Sequence, residues 1–234
     1  MSEMITLAID TATRAAGVAL LQDENILAEY YVRFRLTHSE SVLPAIEAIL
    51  SVAGIDMRDV RIFALTQGPG SFTGLRVGAG IVKGLALSTE GRIVGVSTLD
   101  ALAQNLAFST HLVCPILDAK KGQVYTALYR PAENGRLEKI EPDQAADPAV
   151  FFGRISQPVI FLGDGVPVYG NLIRELLPSM AFFAPANLQW IRPSAVALLG
   201  LEKYQKGEGV DPVSFVPRYI RRSEAEVRLF GERK

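Results

Sequence analysis

Disulfide chemistry is closed to this chain, because it carries one cysteine, Cys114, set in an apolar run. A lone thiol excludes an internal bridge and favours an intracellular, cytoplasmic setting. In apolar surroundings it is expected as a small core residue. Histidine is nearly as scarce: His38 and His111 are the only two and lie far apart, so no paired His or Cys spacing marks a metal site. No apolar run approaches the roughly 18 residues of a membrane span. Ser2 and Glu3 precede a short strand pattern rather than a signal-type start. Neither sign of charge is in excess, with 24 basic against 25 acidic residues. That balance leaves no electrostatic footprint for independent nucleic-acid binding.

What remains is a globular composition, 49% hydrophobic over 234 residues, enough for one large domain or two ordinary ones. Its most distinctive stretch is LTQGPGSFTGLRVGAGIVKGLALS at residues 65–88. An apolar run at residues 60–65 predicts a buried strand, Gly68, Pro69 and Gly70 force a turn, and a helical pattern opens near Ser71 or Phe72. At about 100° per residue, Gly74, Val77, Gly78, Gly80, Ile81, Gly84, Leu85 and Ser88 share one wide arc, and Leu75, Ala79, Val82 and Ala86 a second. Only Arg76 and Lys83 make a polar stripe. A helix apolar almost all round should be covered on more than one side. Each interior glycine costs roughly 1 kcal/mol relative to alanine, so several on one arc suggest a closely approaching backbone, from this chain or from another.

The first lobe is predicted to open with a three-stranded meander, residues 4–9, 16–21 and 26–33, with Asp10 at the end of the first strand. A helix starts within residues 37–41, either on a Thr37/Glu40 capping box or on Ser41, and presents Leu43, Ile46, Ile49, Leu50 and Ala53 until Gly54 stops it. A strand at residues 93–96 and a helix over residues 100–108, capped by Ser97 or Thr98, close this half. The second half repeats the opening pattern. Residues 112–117 form an apolar run ending in Asp118, followed by a turn and a returning strand at residues 123–129. This echo predicts two related lobes, residues 1–108 and 109–234. Residues 131–148 read as a solvent-facing connection. A strand at residues 158–162 ends in Gly163-Asp164-Gly165, a helix covers residues 169–177, and a last one lies within residues 188–206, capped by Ser194. That last helix is a candidate to pack back on the first lobe. The tail, residues 217–234, is expected to be helical or loosely ordered.

Three kinds of chemistry can be weighed on these residues. Ser71 sits in a strand-turn-helix setting, but Pro69 stands where a nucleophile elbow needs glycine. Backbone amides around Gly68, Gly70 and Ser71 at a helix start could hold an anion, although neither a Walker loop nor a dinucleotide fingerprint is present. Asp10 and Asp118 could face each other across a cleft around magnesium, with Gly163 and Gly165 nearby. Both acids equally suit turns.

The motifs AIDTAT at residues 8–13, HSESVLPAI at 38–46, GPGSFTGLRVG at 68–78, KGLA at 83–86, GVSTLDALA at 95–103, LDAKKGQVY at 117–125, GDG at 163–165 and PRYIR at 217–221 resemble, in order and spacing, the bacterial TsaB family, also called YeaZ. The resemblance covers essentially the whole chain. It implies an α/β, two-lobed actin-like ATPase (RNase H-like) fold, each lobe a mixed sheet with flanking helices. It implies work in tRNA modification, pairing with a TsaD-type subunit and a TsaE-type ATPase to place a threonylcarbamoyl group on N6 of the adenosine beside the anticodon. The TsaD-type subunit carries the metal and the chemistry, while the TsaB-like chain is a non-catalytic activating partner that forms homodimers when alone and meets tRNA through the complex. The pairing surface implied is a bundle of the two N-lobe helices, about residues 39–53 and 71–90.

The residues point the same way: no glycine follows Asp10 until Gly17, where an actin-like phosphate loop wants one, and the catalytic relative's histidine pair is missing. No cofactor is expected in this chain; weak ATP or ADP binding would belong to the complex. An actin-like ATPase or small-molecule kinase using Asp10 and Asp118 around magnesium is the alternative. The partner interface is predicted at Gly74, Val77, Gly78, Gly80, Ile81, Gly84 and Leu85 with Leu43, Ile46 and Leu50. Gly78→Arg or Gly84→Arg is then expected to break pairing without unfolding the monomer, by chromatography and thermal melting.

Overall fold

Five layers stack in the order helices, sheet, helices, sheet, helices. The computed structural model describes residues 3–33 and 38–221. The first half contributes β1 (Ile5–Asp10), β2 (Ala15–Gln22), β3 (Asn25–Arg33), α1 (His38–Ala53), β4 (Val60–Gly68), α2 (Phe72–Thr89), β5 (Arg92–Ser97) and α3 (Thr98–Ala103). The second contributes β6 (Leu112–Asp118), β7 (Val124–Pro131), β8 (Leu137–Ala146), α4 (Pro148–Phe152), β9 (Val159–Leu162), α5 (Val166–Leu176), β10 (Ala181–Phe183) and α6 (Pro193–Gln205). The first sheet runs β3-β2-β1-β4-β5 and the second β10-β9-β6-β7-β8. Each is an antiparallel meander extended by two parallel strands. The two sheets therefore have one topology, with β6 in the place of β1 and β9 in the place of β4.

Strand residues alternate between two cores because successive side chains point to opposite faces. Leu7, Ile9, Val18, Leu20, Phe63 and Leu65 meet Ile46, Ile49 and Leu50 of α1 and Ala79, Val82 and Ala86 of α2. Ala8, Ala19, Ala64 and Val96 face the other way, onto Val196 and Ala197 of α6 and on to Val113, Leu117 and Leu162 of the second sheet. α6 comes from the second half of the chain and lies on the first sheet. A methyl group at Gly200 would overlap the Cβ of Ala64, so the helix and β4 touch almost backbone to backbone. Phe151, Phe152, Phe161 and Ile173 fill a third core beneath α4 and α5.

Local chemistry sets the helix ends. Ser71 caps α2 by accepting from Gly74 N at 3.2 Å, Ser97 caps α3 from Asp100 N, and Asp147 caps α4. α1 starts at His38, which leaves Pro44 inside it and costs one backbone bond; Thr37 lies outside the described residues. α6 is not capped by Ser194. Pro193 takes its first turn, and Ser194 donates both its amide and its hydroxyl to Glu29 of β3, at 2.9 and 2.8 Å. Burial works against a charge on Glu29, but Arg192 and Ser194 outweigh it and hold the carboxyl below its usual range.

The expected loop over residues 131–148 is largely strand. β8 occupies its centre, paired antiparallel to β7. Glutamates and Pro142 diluted its alternation, a composition an edge strand tolerates because one side meets water. The tail expectation falls partly on residues 222–234, outside the described residues. Its described start, residues 217–221, forms neither helix nor strand and bends at its end. Gly200→Ala is expected to lower stability by about 1–2 kcal/mol, since overlap with Ala64 exceeds the roughly 1 kcal/mol gained in helix propensity. An unchanged urea midpoint would contradict so close an approach.

Candidate functional site

Two surfaces are built around α2, a cavity at its N-terminus and a bare face along its outer side. The cavity, about 440 Å³, opens between the lobes. The first lobe supplies Ala12, Thr13 and Arg14 from the β1–β2 turn, Gly70 and Ser71 from the loop before α2, and Phe72 at its first position. The second supplies Asp118, Lys120, Lys121, Tyr125 and Asp164. Arg218, Tyr219 and Arg221 complete the rim.

Asp10 does not face this cavity. It is 1% exposed, and one carboxylate oxygen, Oδ1, accepts from Ala12 N at 3.0 Å and Thr66 Oγ1 at 2.8 Å. Burial pushes its pKa up to about 6 despite both hydrogen bonds. Asp10 thus ties the β1–β2 turn to β4, and the expected pair of acids around a shared ion does not form. Asp118 does line the cavity. Its Oδ1 accepts from Lys120 N at 2.9 Å and its other oxygen pairs with the Lys120 ammonium. Burial opposes its charge, yet Lys120 and the field of Arg14 hold the carboxyl below its ordinary value. Asp164 accepts from Asp118 N at 3.0 Å, and burial raises its pKa.

The glycine loops turn their backbones inward. Ser71 N donates to Ala12 O at 2.7 Å, a Cβ at Gly70 would overlap that same carbonyl, and one at Gly68, where φ is +124°, would overlap Arg218 O. Gly163 N donates to Gln189 Oε1 at 2.8 Å and Gly165 N to Ile116 O at 3.1 Å. Of the expected phosphate contacts, only Gly70, Ser71 and Asp118 border the cavity. Sequence reasoning missed Arg14, Lys120, Tyr125 and the 218–221 run as cavity residues; the Lys120-Lys121-Gly122 turn was the available signal.

The glycine arc of α2 also divides. Gly74 and Gly78 face inward: a Cβ at either would overlap Thr11, whose hydroxyl donates to Gly74 O at 2.8 Å. They are packing residues of this chain, and Gly78→Arg is expected to unfold it, contrary to the reading from sequence. Gly80 and Gly84 face outward, and among the described residues a Cβ at either would meet no atom within 4 Å beyond its own stretch of helix. Val77, Ile81 and Leu85 are half-buried between the two sides. On α1, Ile46 and Leu50 belong to the core, while Leu43 is 49% exposed. Leu87 on α2 is exposed as well.

A family model described as "TsaD: tRNA N6-adenosine threonylcarbamoyltransferase" matches residues 34–229. The tRNA threonylcarbamoyladenosine biosynthesis protein TsaB of Bacillus subtilis is 37% identical over 234 residues, covering 99% of this chain and 100% of its own. TsaB of Haemophilus influenzae is 40% identical, covering 99% of each chain. Among solved structures, YeaZ from Pseudomonas aeruginosa superposes with a TM-score of 0.77 at 27% identity, over 92% of this chain and 99% of that one. The two sheets of shared topology with flanking helices are the two-lobed, actin-like (RNase H-like) fold. No helix of the described residues is long and apolar enough to cross a membrane.

Asp10 gives the cavity wall a pH signature. Its folded pKa of about 6 exceeds the unfolded value of 3.8, so folding takes up a proton between those values. Stability therefore falls as pH rises through roughly 4 to 6, by on the order of 3 kcal/mol. Asp10→Asn keeps an oxygen for Ala12 and Thr66 and is expected to flatten that part of the profile. Urea denaturation at both ends of the window measures it; a fall that persists unchanged in the variant would assign it to other groups.

Proposed function

The chain belongs to the TsaB (YeaZ) family, and we propose that it takes part in tRNA threonylcarbamoyladenosine biosynthesis as a non-catalytic, activating partner. Its catalytic partner is a TsaD-type subunit, a TsaE-type ATPase completes the complex, and tRNA is met through that assembly in the cytoplasm. Alone, the chain pairs with its own copy through the same surface.

The observation that carries this reading is the pair of outward glycines on α2. Gly80 and Gly84 sit in a helix interior with nothing against them among the described residues, so together they cost this chain about 2 kcal/mol relative to alanine with no packing among those residues to offset it. The cost is offset when a second helix lies in the shallow groove they leave. Leu87, about one helical turn on from Gly84, is 57% exposed, and Leu43 of the neighbouring helix is exposed as well, apolar surface suited to a helix-to-helix contact.

The assembly role does not require chemistry from this chain. Asp10 is committed to the turn and Asp118 to Lys120, which weakens the alternative of an ATPase or kinase using both acids. Weak nucleotide binding, if the cavity takes part, would draw on Arg14 and residues of the joined complex.

Gly80→Ala combined with Gly84→Ala is expected to raise the stability of the isolated chain by about 1–2 kcal/mol and to weaken its pairing. Gly84→Arg should abolish pairing without lowering the melting temperature of the monomer. Chromatography with light scattering, alone and with the TsaD-type partner, reads both. The function is tested by a reconstituted transfer to unmodified tRNA, with and without this chain. Equal rates without it would overturn the proposal, as would full activity of Gly84→Arg.

A further inference from the structure

Residues 210–221 are bound to the first lobe almost continuously and, among the described residues, reach the second through Arg221. Val210 forms an antiparallel bridge with Ile93 on β5, exchanging bonds of 2.9 and 3.0 Å. Lys83 of α2 donates to Val213 O at 3.2 Å, and Phe215 is buried in the core under α1 and α2. Arg218 N donates to Gln67 O at 2.7 Å at the end of β4. The Tyr219 ring lies against Phe72, centroids 4.9 Å apart, and the Arg76 guanidinium stacks over Phe72 and donates to the Tyr219 hydroxyl at 3.4 Å. The run therefore follows α2 backwards from its middle to its first residue.

The crossing is then made by a side chain. Arg221 donates to Ala119 O at 2.9 Å, in the turn where Lys120, Lys121 and Gly122 all have positive φ and where Asp118 holds Lys120. Both the run and that turn line the inter-lobe cavity.

The lobes are also joined away from the cavity. Ser97 donates to Asp143 Oδ2 at 2.6 Å, Lys139 bridges Asp143 and Asp100 at 2.7 and 2.6 Å, and Tyr129 donates to Asp100 at 2.7 Å. None of these residues lines the cavity. The Asp143 side chain is only 4% exposed. Such a sheltered polar network holds its geometry well, whereas one guanidinium-to-carbonyl bond at a cavity rim is readily exchanged for water. With that joint and the shared core between the sheets as the pivot, one exchangeable bond from the band at the cavity rim is, among the described residues, the arrangement of a hinge with a latch.

We propose that residues 210–221 form a band anchored on the first lobe whose Arg221 latches the second, so that the Arg221–Ala119 contact sets how far the inter-lobe cavity opens. The band's contacts with Lys83, Arg76 and Phe72 place the latch on the same helix that carries the outward glycines. Lobe opening and the state of α2 are thereby mechanically joined.

Spin labels at Glu24→Cys and Glu175→Cys, exposed positions on different lobes, report the opening. Cys114 is buried with its thiol pushed up to about 12, so labelling is confined to the new cysteines. Doubly labelled protein is diluted into unlabelled protein, leaving only distances within one chain. Arg221→Met, which keeps the aliphatic stem, is expected to broaden the distance distribution and shift it by several ångström, and Arg221→Lys to restore it in part. Tyr219→Leu, which loosens the band upstream, should broaden it too. A distribution unchanged in both Arg221→Met and Tyr219→Leu overturns the latch. Failure of lysine to narrow it overturns the carbonyl bond as the contact responsible.

Discussion

The structure depends on the contact between the β1–β2 turn and the first two turns of α2. Thr11 occupies the space that side chains at Gly74 and Gly78 would fill, and its hydroxyl donates to the Gly74 carbonyl. Ser71 N in turn donates to Ala12 O, and Asp10 holds the same turn to β4 through Thr66. A helix held this closely cannot roll on its sheet. Its N-terminus therefore sets one wall of the cavity, and its outward glycines are fixed in direction.

Duplicated topology explains how two similar acids acquired different work. Asp10 and Asp118 end equivalent strands, β1 and β6. In the first lobe the acid on the central strand accepts from its neighbour β4; in the second, the acid that follows β9 accepts from the central strand. The polarity of the link is reversed. One acid is sealed and carries a raised pKa, and the other stays at the cavity under the influence of Lys120.

Much of the architecture was legible from residue spacing. The meander, the buried β4 strand, the glycine turn, the Ser71 start and the repeat between halves all follow from period-two and period-3.6 patterns with their breakers. What was not legible depends on partners distant in sequence. The eight-residue arc of α2 looked like one face, but Thr11 claims two of its glycines, and Gly80 and Gly84 are left uncovered by the described residues. Nothing local distinguishes these pairs. β8 was hidden because an edge strand has no need of clean alternation, and Ser194 was misread as a cap because its amide and hydroxyl are both turned to Glu29, across the chain. The membership of Asp118 in the cavity was readable; the exclusion of Asp10 required knowing that Thr66 stands beside it.

The position of α6 has a consequence for how the chain is made. The face of the first sheet formed by Ala8, Ala19, Ala64 and Val96 is covered by a helix whose residues are synthesised nearly last, after the whole second sheet. During synthesis the first lobe therefore emerges with one face packed under α1 and α2 and the other exposed. Contacts of such high sequence separation form slowly, and the unclosed intermediate presents apolar surface while it waits. The first half of this chain is a lobe in shape but not an independent folding unit, and ribosome-bound nascent chains that stop short of residue 193 are where chaperone engagement would concentrate.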